Sequence, residues 1–176
     1  MFARYTEGAR RAVVRAGMHS LDAGRATLDV DMLVLALAEV RPFSLPSFTA
    51  SEADVRELVD LGNARALLAT LGIDLDVVRR RTRAGADEPG LWRLRRSRVR
   101  PLRVTLYGPL GELPLAMHTR KVIEVAQWQP GAVTGERLLW GLLADTSNGA
   151  ARLLREAGVD LDRLVDEAAI PRRRAA

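Results

Sequence analysis

A ten-residue motif occurs twice in the chain, and this repetition restricts the fold more than any other feature of the sequence. The first copy reads Leu-Leu-Ala-Thr-Leu-Gly-Ile-Asp-Leu-Asp at 67–76, and the second reads Leu-Leu-Arg-Glu-Ala-Gly-Val-Asp-Leu-Asp at 153–162. In each copy a helical segment ends at a glycine that can take the left-handed conformation. An aspartate two residues later can cap the next helix. The motif therefore predicts a tandem repeat.

Other segments of the two halves pair in the same way. Thr6 pairs with Ala116 (110 residues apart), Asp31 with Glu136 (105 apart) and Gly72 with Gly158 (86 apart). Because 105 minus 86 is 19, the first half carries 19 extra residues between its second and third helices. This insertion contains a proline-bearing loop at 41–49, which cannot continue a helix. It also contains Ser51 and Asp54, which have the spacing of a capping box.

Helical periodicity dominates both halves. Apolar residues at helical spacing predict a first helix, with Thr6 as its N-cap: Ala9, Ala12, Val13 and Ala16. Residues 30–38 are apolar nearly all round and rich in Leu, Met and Ala, which favours a buried helix over a buried strand. Residues 119–127 and 135–143 are the corresponding helices of the second half.

These patterns predict an all-α fold with two pseudo-symmetric four-helix repeats packed as one domain. The predicted boundaries are 1–83 for the first repeat with its insertion at about 41–60, 84–114 for an extended basic connector, 115–170 for the second repeat and 171–176 for a basic tail. Within the connector, 92–100 partly alternates apolar and basic residues, and 102–107 has strand propensity. A small hairpin and an extended arm are both consistent with that pattern.

The net charge of +5 comes almost wholly from arginine, since Lys121 is the only lysine. A basic surface attracts nucleic acid or acidic partners. An arginine-for-lysine bias with many alanines is also what a GC-rich genome produces, and we favour this second explanation. The arginines without neighbouring acidic residues cluster at 93–103 and 172–174.

Composition argues against several classes of site. The absence of cysteine excludes disulfides, thiol catalysis and cysteine-based zinc sites. Neither His19 nor His118 lies in a nucleophile motif, and capping explains Asp74 and Asp76, so we predict no enzyme activity, metal or cofactor. No apolar run approaches the roughly 18 residues needed to span a bilayer, and no apolar signal core follows Met1. A cytoplasmic location is therefore predicted.

Three segments carry a resemblance to a known family. They are Met-Phe-Ala-Arg-Tyr-Thr-Glu at 1–7 with Ala9-Arg10-Arg11, Gly-Glu-Arg-Leu-Leu-Trp-Gly-Leu-Leu at 135–143 and Gly-Val-Asp-Leu at 158–161. Apart from the insertion and the connector, nearly the whole chain resembles the N-terminal (Clp N repeat) domain of the Clp AAA+ unfoldases, ClpC above all. The resemblance implies a pseudo-two-fold, all-helical module that docks substrates and adaptor proteins. Because no G-x-x-x-x-G-K-[ST] phosphate loop occurs, we expect a stand-alone module without ATPase parts.

The resemblance implies phosphoarginine sites at the start of the second helix of each repeat. In ClpC a Thr-Glu pair stands there, the carboxylate meeting the guanidinium group and helix-start donors meeting the phosphate. The matching positions are Val30 and Asp31 in the first half and Gly135 and Glu136 in the second, so both copies depart from the family pattern. Helix capping is the alternative role for Asp31 and Glu136.

The resemblance also implies a second surface, where the N-terminus meets the first helix of the other repeat and accepts adaptors and cyclic-peptide antibiotics. Its matching residues are Met1, Phe2, Arg10, Leu115, Arg120 and Glu124. An apolar anchor flanked by charges suits a peptide-binding hot spot. The alternative is that Phe2 and Leu115 are ordinary core residues joining the repeats. Leu115 departs from the family, which has an aromatic residue at this position.

The predicted function is a non-enzymatic peptide-binding or protein-binding module, acting as an adaptor or as a ligand-sequestering decoy in Clp-dependent proteolysis. Its expected partners are Clp unfoldase or protease components, their substrates, arginine-phosphorylated proteins or cyclic peptides, with no membrane contact. The alternative is a nucleic-acid-associated regulator that uses the arginine-rich connector and loses affinity steeply with salt. The sequence leaves open whether residues 47–51 form a lid over the first site or only a longer loop.

Overall fold

The computed structural model describes residues 1–59, 85–97 and 103–168. These residues form seven α-helices: α1 (Glu7–Asp22), α2 (Val30–Val40), α3 (Glu52–Leu58), α4 (Met117–Trp128), α5 (Gly135–Leu143), α6 (Ala150–Glu156) and α7 (Leu161–Glu167). They also form three strands: β1 (Arg93–Arg96), β2 (Val104–Gly108) and β3 (Gly111–Pro114). Short 3-10 helices cover Phe2–Arg4, Pro89–Leu91 and Thr146–Asn148. The first copy of the ten-residue motif and the basic tail lie outside the described residues.

The all-α prediction is wrong, because the connector folds into a three-stranded antiparallel sheet in the order β1-β2-β3. The register pairs Leu94 with Leu106 and Leu106 with Leu113, and all three leucines are buried. Since side chains alternate between the faces of a strand, this leucine row forms the inner face and the intervening residues form the outer face. The connector is thus a hairpin with a third strand added, and the fold is mixed α/β.

The core is centred on α2 and includes the sheet. Seven successive residues of α2, Met32 to Ala38, are buried, as expected for an apolar helix at the centre of the molecule. α1 packs against α2, and α4 packs against α5. Trp92 precedes β1 and is completely buried, and its indole N–H donates to the Ala86 carbonyl at 2.6 Å. Helices and sheet therefore share one hydrophobic core.

Several predicted helix ends are confirmed. The Thr6 hydroxyl accepts from the Ala9 amide at 3.3 Å at the start of α1. Ser51 and Asp54 form a reciprocal capping box on α3. Gly158 has a φ of +81° after α6, and the Asp160 carboxylate caps α7. These ends could be predicted because each depends on a few adjacent residues.

Two isolated parallel bridges join the halves of the chain, one between Tyr5 and Val133 and the other between Leu28 and Leu115. In the first bridge the Thr6 amide donates to the Val133 carbonyl at 2.9 Å, and the Val133 amide donates to the Arg4 carbonyl at 2.7 Å. In the second bridge the Ala116 amide donates to the Leu28 carbonyl at 3.0 Å, and the Leu28 amide donates to the Pro114 carbonyl at 2.9 Å. Arg4 and Pro114 are 110 residues apart, as are Thr6 and Ala116, while Leu28 and Val133 are 105 apart. The bridges are thus equivalent under the residue pairing found in the sequence.

The insertion packs against the second half of the chain. The Ser47 amide donates to the Glu167 carboxylate at 2.8 Å, and the Thr49 hydroxyl donates to the Gly158 carbonyl at 3.1 Å. The rings of Phe43 and Phe48 stack edge to face beneath these contacts, 4.9 Å apart. Residues 47–49 therefore tie the loop to α6 and α7, and none of these contacts places it as a lid over Asp31.

Candidate functional site

The predicted peptide-binding surface is organised by Phe2, which is buried. Its ring packs edge to face on Tyr5 with 5.1 Å between centroids, and the Arg10 guanidinium carbon lies 5.3 Å from the Phe2 centroid. Burial raises the pKa of the Tyr5 phenol to about 12, although a hydrogen bond from Gln127 and the charge of Arg4 oppose the rise. Phe2 therefore joins the core and presents little surface to an outside ligand.

The segment around β1 lies across this surface. Arg10 donates to the carbonyls of Gly90 and Trp92 at 3.3 and 3.2 Å. The Met1 amine donates to the Leu94 carbonyl at 3.1 Å. Arg96 of β1 donates to the Glu124 carboxylate at 2.6 Å. Met1, Arg10 and Glu124 are thus bonded to the chain's own connector.

The other predicted surface residues lie beside the sheet as well. The Leu115 amide donates to the Val104 carbonyl at 2.9 Å, and the Leu115 side chain packs half-buried against the core. Arg120 lies one turn before Glu124 on α4, with 4.0 Å between the Arg120 Nε and a Glu124 carboxylate oxygen. The structure therefore gathers the predicted set around β1 and β2. The role of these residues in ligand binding stays a prediction.

The first predicted phosphoarginine position is engaged in local contacts. Asp31 forms an ion pair with Arg25 at 2.8 Å, and it accepts a hydrogen bond from the Met32 amide at 2.9 Å. Asp29, the N-cap of α2, lies 3.3 Å from the same guanidinium group. The Asp31 carboxylate therefore already has a cationic partner at the start of α2.

The second position is covered by the insertion. Gly135 is buried at the start of α5, and a Cβ atom on it would lie 2.5 Å from the Pro42 carbonyl oxygen and 2.9 Å from the Phe43 ring. Glycine is the residue that fits this contact. Within 1–59, 85–97 and 103–168, the Glu136 side chain has no ion-pair or hydrogen-bond partner. Phosphoarginine binding here stays a prediction.

An open groove of about 730 Å³ runs over the outer face of the sheet beside Met1. Its polar lining consists of Arg95, Arg96, Ser97, Arg103, Thr105, Tyr107 and Glu112. The register explains this composition, because it places Arg95 opposite Thr105 and Tyr107 opposite Glu112 on the face away from the leucine row. The sequence pattern singled out the arginines of 93–103 as a basic cluster. Tyr107 and Glu112 could be assigned to the groove only from the strand register.

A second polar groove, of about 820 Å³, adjoins an ion cluster between α1 and α2. Arg15 and His19 of α1 both bind the Glu39 carboxylate of α2, with 3.1 Å from the Arg15 Nε and 2.8 Å from the His19 Nε2. Burial would raise the pKa of Glu39, but the hydrogen bonds from His19 and Arg15 outweigh it and lower that pKa to about 2. Because His19 is buried and committed to Glu39, this cluster braces two helices.

The other histidine lies near Asp145. Lys121 donates to the Asp145 carboxylate at 2.9 Å, the Ser147 hydroxyl donates to it at 2.6 Å, and the His118 Nδ1 is 3.7 Å away. The bonds from Ser147 and Lys121 hold the pKa of the Asp145 carboxyl well below its usual range. Ser147 is bonded to a carboxylate and not to His118, so the hydrogen bond of an activated nucleophile is absent from this cluster.

The described part of the chain holds no group of three or more residues arranged to bind a metal ion. None of its helices has the length and apolar character needed to cross a membrane.

Comparison with models of known protein families gave no match, and comparison with curated proteins gave none either. The resemblance to the Clp N-terminal domain therefore rests on the three sequence segments described above.

Proposed function

We propose that this protein is a non-enzymatic protein-binding module that resembles the N-terminal domain of Clp unfoldases and acts as an adaptor or a decoy in Clp-dependent proteolysis. The observation that carries the proposal is the pair of backbone bridges. Each bridge connects the start of a first helix to the residues before a second helix of the other half. Both follow the 110-residue and 105-residue pairing of the sequence. Such equivalence supports a common origin for the two halves.

The charged clusters support binding in preference to catalysis. Glu39 is held by Arg15 and His19, and Asp145 is held by Lys121 and Ser147. A general base must instead reach a proton on a substrate or nucleophile. In both clusters the bonded groups join secondary-structure elements, so these ion pairs have a structural role.

A degradation assay tests the proposal. The purified chain is added to a ClpC-type unfoldase, its protease and a fluorescent substrate protein. An adaptor raises the degradation rate, and a decoy lowers it by competing for substrates or adaptors at the N-terminal domain of the unfoldase. The matched control is the same unfoldase without its N-terminal domain, which should not respond. An unchanged rate at a tenfold excess of this protein, with no co-elution with the unfoldase or the substrate, would refute the proposal.

A further inference from the structure

The outer face of the sheet carries an excess of positive charge, because, among the residues that the structure describes, three arginines lie on it with one carboxylate, that of Glu112. Arg93 and Arg95 lie on alternate positions of β1, and Arg103 immediately precedes β2 on the same face, opposite Ser97. In the ranges 1–59, 85–97 and 103–168, the guanidinium groups of Arg93, Arg95 and Arg103 have no ion-pair or hydrogen-bond partner. Arg96, which also lines the groove, is neutralised by Glu124.

The spacing of these charges matches an extended chain. Alternate residues of a strand are about 6.8 Å apart, so Arg95, which lines the groove, and Arg93, which lies outside its lining, are separated by the distance between alternate side chains of an extended peptide. Arg103 is a diagonal neighbour of Arg95, at about 7–8 Å.

We propose that this groove binds an extended acidic segment of a partner protein, with acidic side chains at alternate positions. The inference rests on the proposed function, since it assigns a working surface to a protein-binding module. Charge complementarity selects the ligand: carboxylates form charge-assisted bonds with arginine. The groove's volume of about 730 Å³ is within the range of ordinary ligand-binding clefts.

Two features favour a peptide over single-stranded nucleic acid. Glu112 lies on the same face as the arginines, opposite Tyr107, where it repels a continuous phosphate backbone, whereas a peptide can place an uncharged residue at that position. Among the described residues, Tyr107 is the one aromatic residue that lines the groove, whereas proteins that bind single strands stack successive bases on several aromatic side chains.

A fluorescence polarisation titration tests the proposal with two labelled nine-residue peptides of identical composition. One alternates threonine and glutamate, and the other has its four glutamates adjacent. General attraction to a basic protein is the same for both. We expect the alternating peptide to bind at least about fivefold more tightly. The double variant Arg95→Gln, Arg103→Gln should lose about tenfold in affinity for it.

The matched control is the double variant Arg155→Gln, Arg163→Gln. It removes the same charge from exposed positions on α6 and α7 and should bind like the wild type. Circular dichroism verifies that both double variants fold. Equal affinities for the two peptides, or equal losses in both double variants, would overturn the proposal. Tighter binding of a deoxythymidine oligonucleotide than of the alternating peptide would also overturn the proposal. If the Arg95→Gln, Arg103→Gln variant then lost affinity for the oligonucleotide, the groove would be a nucleic-acid site.

The degradation assay separates this inference from the proposed function. If the peptides fail to discriminate but the degradation rate still responds, the assignment of the groove is wrong and the proposed function stands. If the alternating peptide binds selectively but the degradation rate does not respond, the groove is a peptide site and the role in Clp-dependent proteolysis is wrong.

Discussion

At the scale of single residues, the carboxylate of Glu39 is the most highly connected charge in the described helices. It holds Arg15 and His19 of the preceding helix, and its side chain is only 20% exposed. Removing one partner from a partly buried ion cluster leaves the other charges poorly solvated. This side chain therefore links the stability of the α1–α2 pair to pH.

We predict that Glu39→Gln is less stable than the wild type by about 2 kcal/mol at pH 7. The folded pKa of about 2 lies below the ordinary 4.5, so the ionised carboxylate stabilises the fold. This contribution is fully present above about pH 4.5 and is lost as the pH falls through about 2. Urea unfolding at pH 7, 4 and 2.5 should show the difference between the variants shrinking. Glu57→Gln, at an exposed position on α3, is the control. A difference that stays constant with pH would contradict the prediction.

Gly135 gives a second prediction at this scale. Gly135→Ala should destabilise the protein by about 1–3 kcal/mol, because the new Cβ atom would meet the Pro42 carbonyl oxygen, a backbone atom that can move little. The control is Gly90→Ala, whose Cβ would meet only the flexible end of Glu88 at 3.4 Å. Thermal unfolding of both variants provides the measurement. Equal stabilities would show that the insertion is not packed on α5.

At the scale of secondary-structure elements, the sheet determines how the connector behaves. Leu94, Leu106 and Leu113 form one buried row, and the Leu106 side chain packs against α1 at Gly17, where a Cβ atom would collide with it. Detaching the sheet from the helices would expose this row to water, at a cost of about 25 cal/mol for each Å² of apolar surface. The sheet is therefore a permanent part of the fold.

We predict that Leu106→Ala lowers the free energy of unfolding by about 3 kcal/mol, the usual cost of truncating a buried leucine. Leu110→Ala, in the exposed turn between β2 and β3, should change it by less than about 1 kcal/mol. Denaturant unfolding monitored by far-UV circular dichroism measures both. If the sheet could detach while the helices stayed folded, Leu106→Ala would leave the denaturant midpoint of helix unfolding unchanged.

At the scale of the whole molecule, the halves are joined through the two bridges, the insertion and the sheet. One buried apolar cluster contains residues of α1, α2, β2, α4 and α5. Arg4 adds a further connection, because its guanidinium group donates to the carbonyls of Gln129 and Gly131 at 2.6 and 2.9 Å. Elements that share one core are expected to unfold together.

We therefore predict a single cooperative transition. Tryptophan fluorescence, which reports on the buried Trp92, the half-buried Trp140 and the exposed Trp128, should have the same denaturant midpoint as far-UV circular dichroism, which reports on all the helices. Agreement of the midpoints should persist in Leu106→Ala at a lower denaturant concentration. Two separated midpoints would mean that the halves are independent units and would contradict the prediction.

The parts of the fold that could be predicted from the sequence depend on local patterns. The α5 helix spans 135–143 as its apolar spacing indicates, and α2 extends the predicted 30–38 by two residues. β3 could not be recognised in this way, because Gly-Glu-Leu-Pro at 111–114 has little strand propensity. Its pairing with β2 depends on the leucine row, which only the register reveals.

For the candidate site too, local sequence patterns could be predicted and tertiary contacts could not. The family resemblance led to the Phe2 and Arg10 neighbourhood because both residues belong to a matching segment. The resemblance does not extend to the connector, so the contacts of Trp92, Leu94 and Arg96 with that neighbourhood could not be predicted. The groove likewise combines residues from three strands whose alignment is a tertiary property.

The position of β1 has a pharmacological consequence. Because Trp92 and Leu94 are buried in the core, β1 would have to leave the fold before a free ligand could take its place. Under the proposed resemblance, a cyclic peptide that binds the matching surface of a Clp unfoldase would have to displace β1 before it reached Phe2 of this protein. We therefore expect such a peptide to bind the unfoldase in preference to this protein in a cell that makes both.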